Sequence, residues 1–188
     1  MVVNKQIKSV LFSSLMLMFL LGCNKDAEEG ISKSKGSFTY NGETYPVENI
    51  KYHKSTYYNL QGTQRYYFYL LGKGLEWNDF YGDIEGNGSF IYFQLLSKDT
   101  TNIASGAYTH EWPAGAGMFP DFSMDIYNFL SADCTASGAS YSCIESYEIN
   151  GGSVLIDGTP GGEYTIKLDL LADSIPLTGE IVTKLVME

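Results

Sequence analysis

Beyond its first two dozen residues the chain is written in short apolar phrases of period two, broken by glycine, proline and asparagine. SFTY at 37–40 and ETYPV at 43–47 flank Asn41-Gly42. That pair supplies the positive φ values a two-residue turn needs, so the spacing predicts a β-hairpin. RYYFYLL at 65–71 and SFIYFQLL at 89–96 are dense in aromatic and branched residues and predict strands. In the first, Tyr66, Phe68 and Leu70 oppose Tyr67, Tyr69 and Leu71; in the second, Phe90 and Tyr92 oppose Ile91 and Phe93. Both faces of these strands therefore have something to cover. SVLID at 153–157 and YTIKLDLL at 164–171 straddle GTPGG and predict another hairpin, with Ile166, Leu168 and Leu170 inward and Lys167 and Asp169 toward water. EIVTKLVM at 180–187 predicts a last strand. FSMDIYNFL at 122–130 sets Phe122, Met124, Ile126 and Leu130 against Ser123 and Asp125, and a helix stays open there.

Several short strands between turn signals, with no long capped 3.6-residue period, predict an all-β fold. The expected form is a single antiparallel β-sandwich, jelly-roll or immunoglobulin-like, with a closed lipocalin-like β-barrel as the alternative. In the barrel, Tyr66, Phe68 or Phe93 would line a cavity for an apolar small molecule.

The first residues follow another grammar. Lys5 and Lys8 precede the uncharged run VLFSSLMLMFLLG at 10–22, and then comes Cys23. The run is shorter than the roughly 20 residues that span a bilayer core, so it predicts a secretion signal removed from the mature chain. Leu20-Leu21-Gly22-Cys23 resembles the lipobox of bacterial lipoproteins. The resemblance implies a diacylglyceryl group on the Cys23 thiol, cleavage before that residue and acylation of the freed amine. Residues 1–22 are then the signal peptide, 23–35 a lipid-anchored flexible tether, and 36–188 one all-β domain. Lys25, Asp26, Glu28 and Glu29 resemble the surface-export signal of Bacteroidetes-type lipoproteins, which implies an outer-membrane, cell-surface address. GSFTYNGETYPV at 36–47, GAYTH at 106–110, GGSVLIDG at 151–158, EYTIKLDL at 163–170 and the closing TGEIVTKL are similar to phrases of small surface lipoproteins of that type with all-β domains. Such turn-and-strand phrases imply a fold and a habitat, and no activity.

Composition narrows the partners. The chain carries a net charge of −10; loss of residues 1–22, with two lysines and no acid, takes it to −12. So acidic a surface repels phosphate backbones, and nucleic acid is not an expected partner. With Cys23 spent on lipid, Cys134 and Cys143 remain in DCTASGASYSC, a short polar loop whose ends can meet across a turn at Gly138. In an oxidising compartment they are expected to form a disulfide.

The chemistry-bearing residues cluster in two stretches. LEWNDFYGDIEGNGS at 75–89, read as a loop, holds Trp77, Asp79, Tyr81, Asp83, Glu85 and Asn87; EWPAGAGMFPDF at 111–122 adds Glu111, Trp112, Phe119 and Asp121. Flat apolar rings beside carboxylates and amides are what a sugar needs, so Trp77, Asp79, Tyr81, Asp83, Asn87 and Trp112 are the expected ligand-binding residues. Asp83, Glu85, Asn87 and Gly88 open like a calcium loop, but the twelfth position would be Gln94 where a bidentate carboxylate is required; a hairpin turn is the better reading. His53 and His110 read as solvated side chains. No nucleophile elbow, zinc-binding histidine pair or phosphate-cradling glycine loop is present, so no catalytic residue, metal or cofactor is assigned. The functional expectation is a non-catalytic envelope lipoprotein that binds an extracellular ligand, most plausibly a glycan, through aromatics. The alternative is a structural or interaction subunit of a surface complex or pilus-like assembly, using an exposed strand edge.

Overall fold

A computed structural model describes residues 31–60, 63–99, 101–110, 123–124, 129–137 and 140–186. Cys23, the signal and Trp112 lie outside the described residues, as do Glu111, Phe119 and Asp121. Among the described residues, eleven strands form one sheet: β1 (Ile31–Tyr40), β2 (Glu43–Leu60), β3 (Thr63–Gly72), β4 (Leu75–Asn78), β5 (Asp83–Ser97), β6 (Gly106–His110), β7 (Ser123–Met124), β8 (Phe129–Ser137), β9 (Ser140–Gly158), β10 (Tyr164–Ala172) and β11 (Ile175–Thr183). β1 starts at Ile31, so residues 31–35 of the expected tether belong to the sheet, pairing with β2 and, at Ser34 and Lys35, with β11.

The sheet closes on itself. Following the ladders from β10 through β11, β1, β2, β3, β5, β8 and β9 returns to β10, an eight-stranded antiparallel barrel. The expected sandwich is therefore replaced by a closed barrel. The physical reason is the pair of long-range ladders β5–β8 and β9–β10, which join what a sandwich would leave as separate sheets. At the other end of β5 and β9 the small β6–β7 pair fills the gap, β7 against Leu95 and Leu96 and β6 against Ser153–Ile156. β6 and β7 run parallel to each other.

An eight-stranded barrel is just wide enough for side chains to fill. Here Phe38, Ile50, Tyr66, Phe68, Leu70, Ile91, Phe93, Leu95, Val154, Ile156, Ile166 and Ile181 are fully buried in one core. Phe68 stacks on Phe93 at 5.2 Å and tilts against Tyr52 at 4.9 Å. The three residues that a small-molecule barrel would present to a cavity thus pack into this core. Outside, β10 and β11 show water Lys167, Asp169 and Glu180, with Lys167 3.4 Å from Glu180. On β10, apolar side chains thus face the lumen and polar ones face water.

Tyrosine hydroxyls tie down one end. Tyr66 donates to the carbonyl of Asp99 at 2.8 Å, Tyr108 to that of Ala104 at 2.6 Å, and Tyr52 accepts from the Ile103 N–H at 3.1 Å. Asp99, Ile103 and Ala104 are thereby held at the barrel mouth, with Ile103 buried. Burial raises the pKa of all three phenols, that of Tyr108 to about 12.

The first hairpin is as expected: Asn41 and Gly42 have φ of 49° and 81° between β1 and β2. The alternation expected for 164–171 also holds, with Ile166, Leu168 and Leu170 buried and Lys167 and Asp169 exposed. The last strand, however, runs from Ile175 to Thr183, not 180–187. Asp173 and Ser174 make the preceding turn with φ of 47° and 68°. The stretch 134–143 is also more regular than a loop. β8 and β9 pair there, and Cys134 and Cys143 face each other across the ladder and are bridged. Closing so small a ring stabilises the hairpin by about 2.5 kcal/mol in the chain-entropy account.

Candidate functional site

The outward face of β2, β3 and β5 is where the chain spends its second set of aromatics. The stretch 75–89 is not a loop: β4 continues β3 past a turn and pairs with the start of β5 from Leu75↔Gly86 to Asn78↔Asp83. This extension folds back over the barrel wall. The fold-back rests on Gly74 and Gly86, at φ of 85° and 106°; a Cβ on Gly86 would sit 2.1 Å from the Gly74 carbonyl oxygen. No other residue type tolerates both that backbone and that approach.

Apolar contact holds the flap down. Leu75 and Ile84 cover Leu71 and Phe90 on the outside of the wall, alongside Cys134 and Ala136, in a second core separate from the barrel lumen. The tip is an Asx turn, because Asn78 Oδ1 accepts from the N–H groups of Phe80 at 2.9 Å and Tyr81 at 3.2 Å. The Gly82 N–H then donates to the Asn78 carbonyl at 2.8 Å. The turn thus spans 79–82, whereas Asp83–Gly88, expected as a turn, belong to β5.

Past the covered part the face remains open. Tyr69 meets Trp77 of the flap at 4.9 Å and Tyr92 at 4.7 Å, and Tyr67 lies 6.4 Å from Tyr92. His53 is set among them, 4.9 Å from Tyr67 and 6.2 Å from Trp77, so it is a half-buried member of the cluster and not a solvated side chain. Tyr92 accepts from Gln94 Nε2 at 2.6 Å; burial, with Tyr69 and Tyr67 adding, raises its pKa.

Lys51 lies at the floor of this face. It is only 2% exposed, its Nζ is 3.1 Å from Asp79 Oδ1, and it stands 5.4 Å from the Trp77 ring centre. Burying an ammonium is costly unless it is paired, and here the flap brings the carboxylate and a π-face. Between wall and flap lies an open groove of about 470 Å³, lined by Lys51, His53, Lys54, Tyr69, Trp77 and Asp79, with Gly82 at its edge.

Of the residues expected to bind a ligand, Trp77 and Asp79 meet in this groove. Tyr81 is 56% exposed at the tip beside the still more exposed Phe80. Asp83 and Asn87 serve the hairpin instead: Asp83 Oδ1 accepts from the Ile84 N–H at 2.8 Å, and Asn87 Oδ1 accepts from Thr135 Oγ1 of β8 at 2.9 Å. Lys51, His53, Lys54 and Tyr69 were not expected at the site. The alternation in IKYHK, which sets Lys51 and His53 opposite Tyr52, is the local hint of the first two. Their neighbours follow only from the β2–β3 register, which puts Lys51 against Tyr69 and His53 against Tyr67.

Such a groove offers two flat ring systems, two lysines, an imidazole and a carboxylate. Comparison of the chain with protein-family models, with curated proteins and with solved structures finds no match.

Proposed function

We propose that this protein is a non-catalytic, lipid-anchored envelope protein that captures an extracellular glycan in the groove between the barrel wall and the β4–β5 flap. The observation that carries the reading is the outward aromatic cluster of Tyr69 and Trp77 beside Lys51, His53 and Asp79. Sugar rings have apolar C–H faces and polar rims; the rings stack on the faces while Asp79 and His53 bond the hydroxyls. With the groove formed by barrel strands on one side and on the other a flap held by Leu75 and Ile84, little ordering is left to be done on binding. Trp77→Ala should weaken binding on a glycan array by at least about tenfold.

The anchor belongs to the same proposal. Cys23 carries the acyl chains, and about 0.8 kcal/mol per buried methylene on more than one chain makes a durable attachment. Seven residues lie between Cys23 and Ile31, so the barrel stays within about 30 Å of the membrane it hangs from. The cluster Lys25, Asp26, Glu28 and Glu29 supports the outer leaflet of the outer membrane as its address. Cells fed radiolabelled palmitate should label the wild-type chain and not Cys23→Ser; equal labelling of both would overturn the anchor. Among the described residues the eight barrel strands pair on both sides, which supports capture over the alternative of a strand-pairing subunit of a surface complex.

A further inference from the structure

The aromatic surface on this face of the barrel is longer than the groove. Trp77 and Tyr69 line the groove, and the rings continue past its lining residues: Tyr92 lies 4.7 Å from Tyr69, and Tyr67 lies 6.4 Å from Tyr92 and 4.9 Å from His53. Strand register lays them out in this way. Lys51, Tyr69 and Tyr92 share one row across β2, β3 and β5, and His53, Tyr67 and Gln94 share the next. Tyr67 and Tyr69 stand on the same face of β3, roughly 7 Å apart along the strand. Trp77, Tyr69, Tyr92 and Tyr67 are all half-buried, so packing holds each ring while water still reaches part of it. The groove itself, at about 470 Å³, is in the range of sites for drug-sized ligands and has room for more than one sugar ring.

We infer that the site takes an internal stretch of a polysaccharide, with successive sugars laid over Trp77, Tyr69, Tyr92 and Tyr67 and both chain ends outside it. This rests on the capture reading above and narrows it to a ligand class. A blind pocket suits a chain end, because its walls can contact the terminal ring on every side. A run of flat rings along an open wall suits a chain that enters and leaves. Stacking on one further ring corresponds to about fivefold in affinity. Affinity therefore climbs with chain length until Tyr67 is covered and then levels off.

The test is an array of gluco-, manno-, xylo- and galacto-oligosaccharide ladders, from the single sugar upward, probed with the full-length protein. Each member is also presented with its reducing end converted to the alditol, and the parent polysaccharides serve as competitors. The expected result is affinity rising about fivefold for each ring newly covered and then a plateau. Longer members should bind as tightly in the alditol form. The parent polysaccharide should compete, mass for mass, at least as well as a plateau-length oligosaccharide, although it carries far fewer ends. Tyr67→Ala should bring the plateau to a shorter length, and Tyr67→Phe, which keeps the ring, should restore it. A single sugar bound as tightly as its oligomers, or a polysaccharide competing only in proportion to its chain ends, would overturn the inference and leave glycan capture standing. Blank wells throughout would remove the capture reading and this inference together.

Discussion

Raised above about pH 10, the protein should hold its buried tyrosines protonated until it unfolds, and then release their protons in one cooperative step. Tyr52, Tyr66 and Tyr108 are buried at the barrel mouth, and loss of solvent raises the pKa of each above its ordinary value, that of Tyr108 to about 12. Near Tyr66 the carboxylate of Asp99 adds to the effect. The sign follows from which state holds the proton more tightly. The native state does, so these groups contribute fully below about pH 10, where the unfolded phenols are also protonated, and the contribution is lost as pH rises toward the native values. Each group costs about 1.4 kcal/mol per pH unit in that window. Three of them approach 8 kcal/mol by about pH 12, and screening of their hydroxyl ends trims this to roughly half, still a large part of a typical domain's 5–15 kcal/mol. The last part of the phenolate absorbance and the far-ultraviolet circular dichroism should therefore change together, between about pH 11 and 12. Ionisation of all fifteen tyrosines completed with the strand signal intact would contradict the packing described for the barrel mouth.

Trp77→Ala should lower affinity for any oligosaccharide the protein captures by at least about tenfold, because it deletes the larger of the two stacking surfaces at the centre of the groove. It also takes the π-face from Lys51 Nζ, 5.4 Å away, and the ring from Tyr69, 4.9 Å away. The flap itself should stay in place, held by Leu75 and Ile84 over Leu71 and Phe90 with the Cys134–Cys143 staple beside them. Trp77 is half-buried, so its loss costs about 1–2 kcal/mol of stability and not the fold. Trp77→Phe keeps a flat ring and should recover much of the affinity; Tyr81→Ala, at the exposed tip, should leave most of it. Calorimetric titration of the three variants separates these outcomes, and unchanged affinity in Trp77→Ala would remove this residue from the site.

What could be read from the chain in advance was whatever a few neighbouring residues decide. Asn41-Gly42 announces its hairpin because both residues accept positive φ at low cost. The two-sided strand 65–71 announces that both faces are covered, and Tyr66, Phe68 and Leu70 do turn inward while Tyr67 and Tyr69 turn out. Asp173-Ser174 builds the same kind of turn from residues that advertise it weakly, so the last strand was expected five residues late. Barrel against sandwich was beyond local reading, since it depends on β10 meeting β9 along one edge while β8 joins β5, and neither follows from the period of any strand. The site divides in the same way. Trp77 and Asp79 stand out by composition in one short stretch. Lys51, His53 and Tyr69 become a site only when the register of β2 on β3 and the glycine-hinged return of the flap bring them together.

Hydrogen–deuterium exchange with and without a saturating oligosaccharide tests the groove most directly. Binding should slow exchange in residues 51–54 and 75–82, on the wall and the flap together, and leave β10 and β11 on the far side of the barrel unchanged. Binding accompanied by protection confined to β10 and β11, or to neither wall nor flap, would contradict the account.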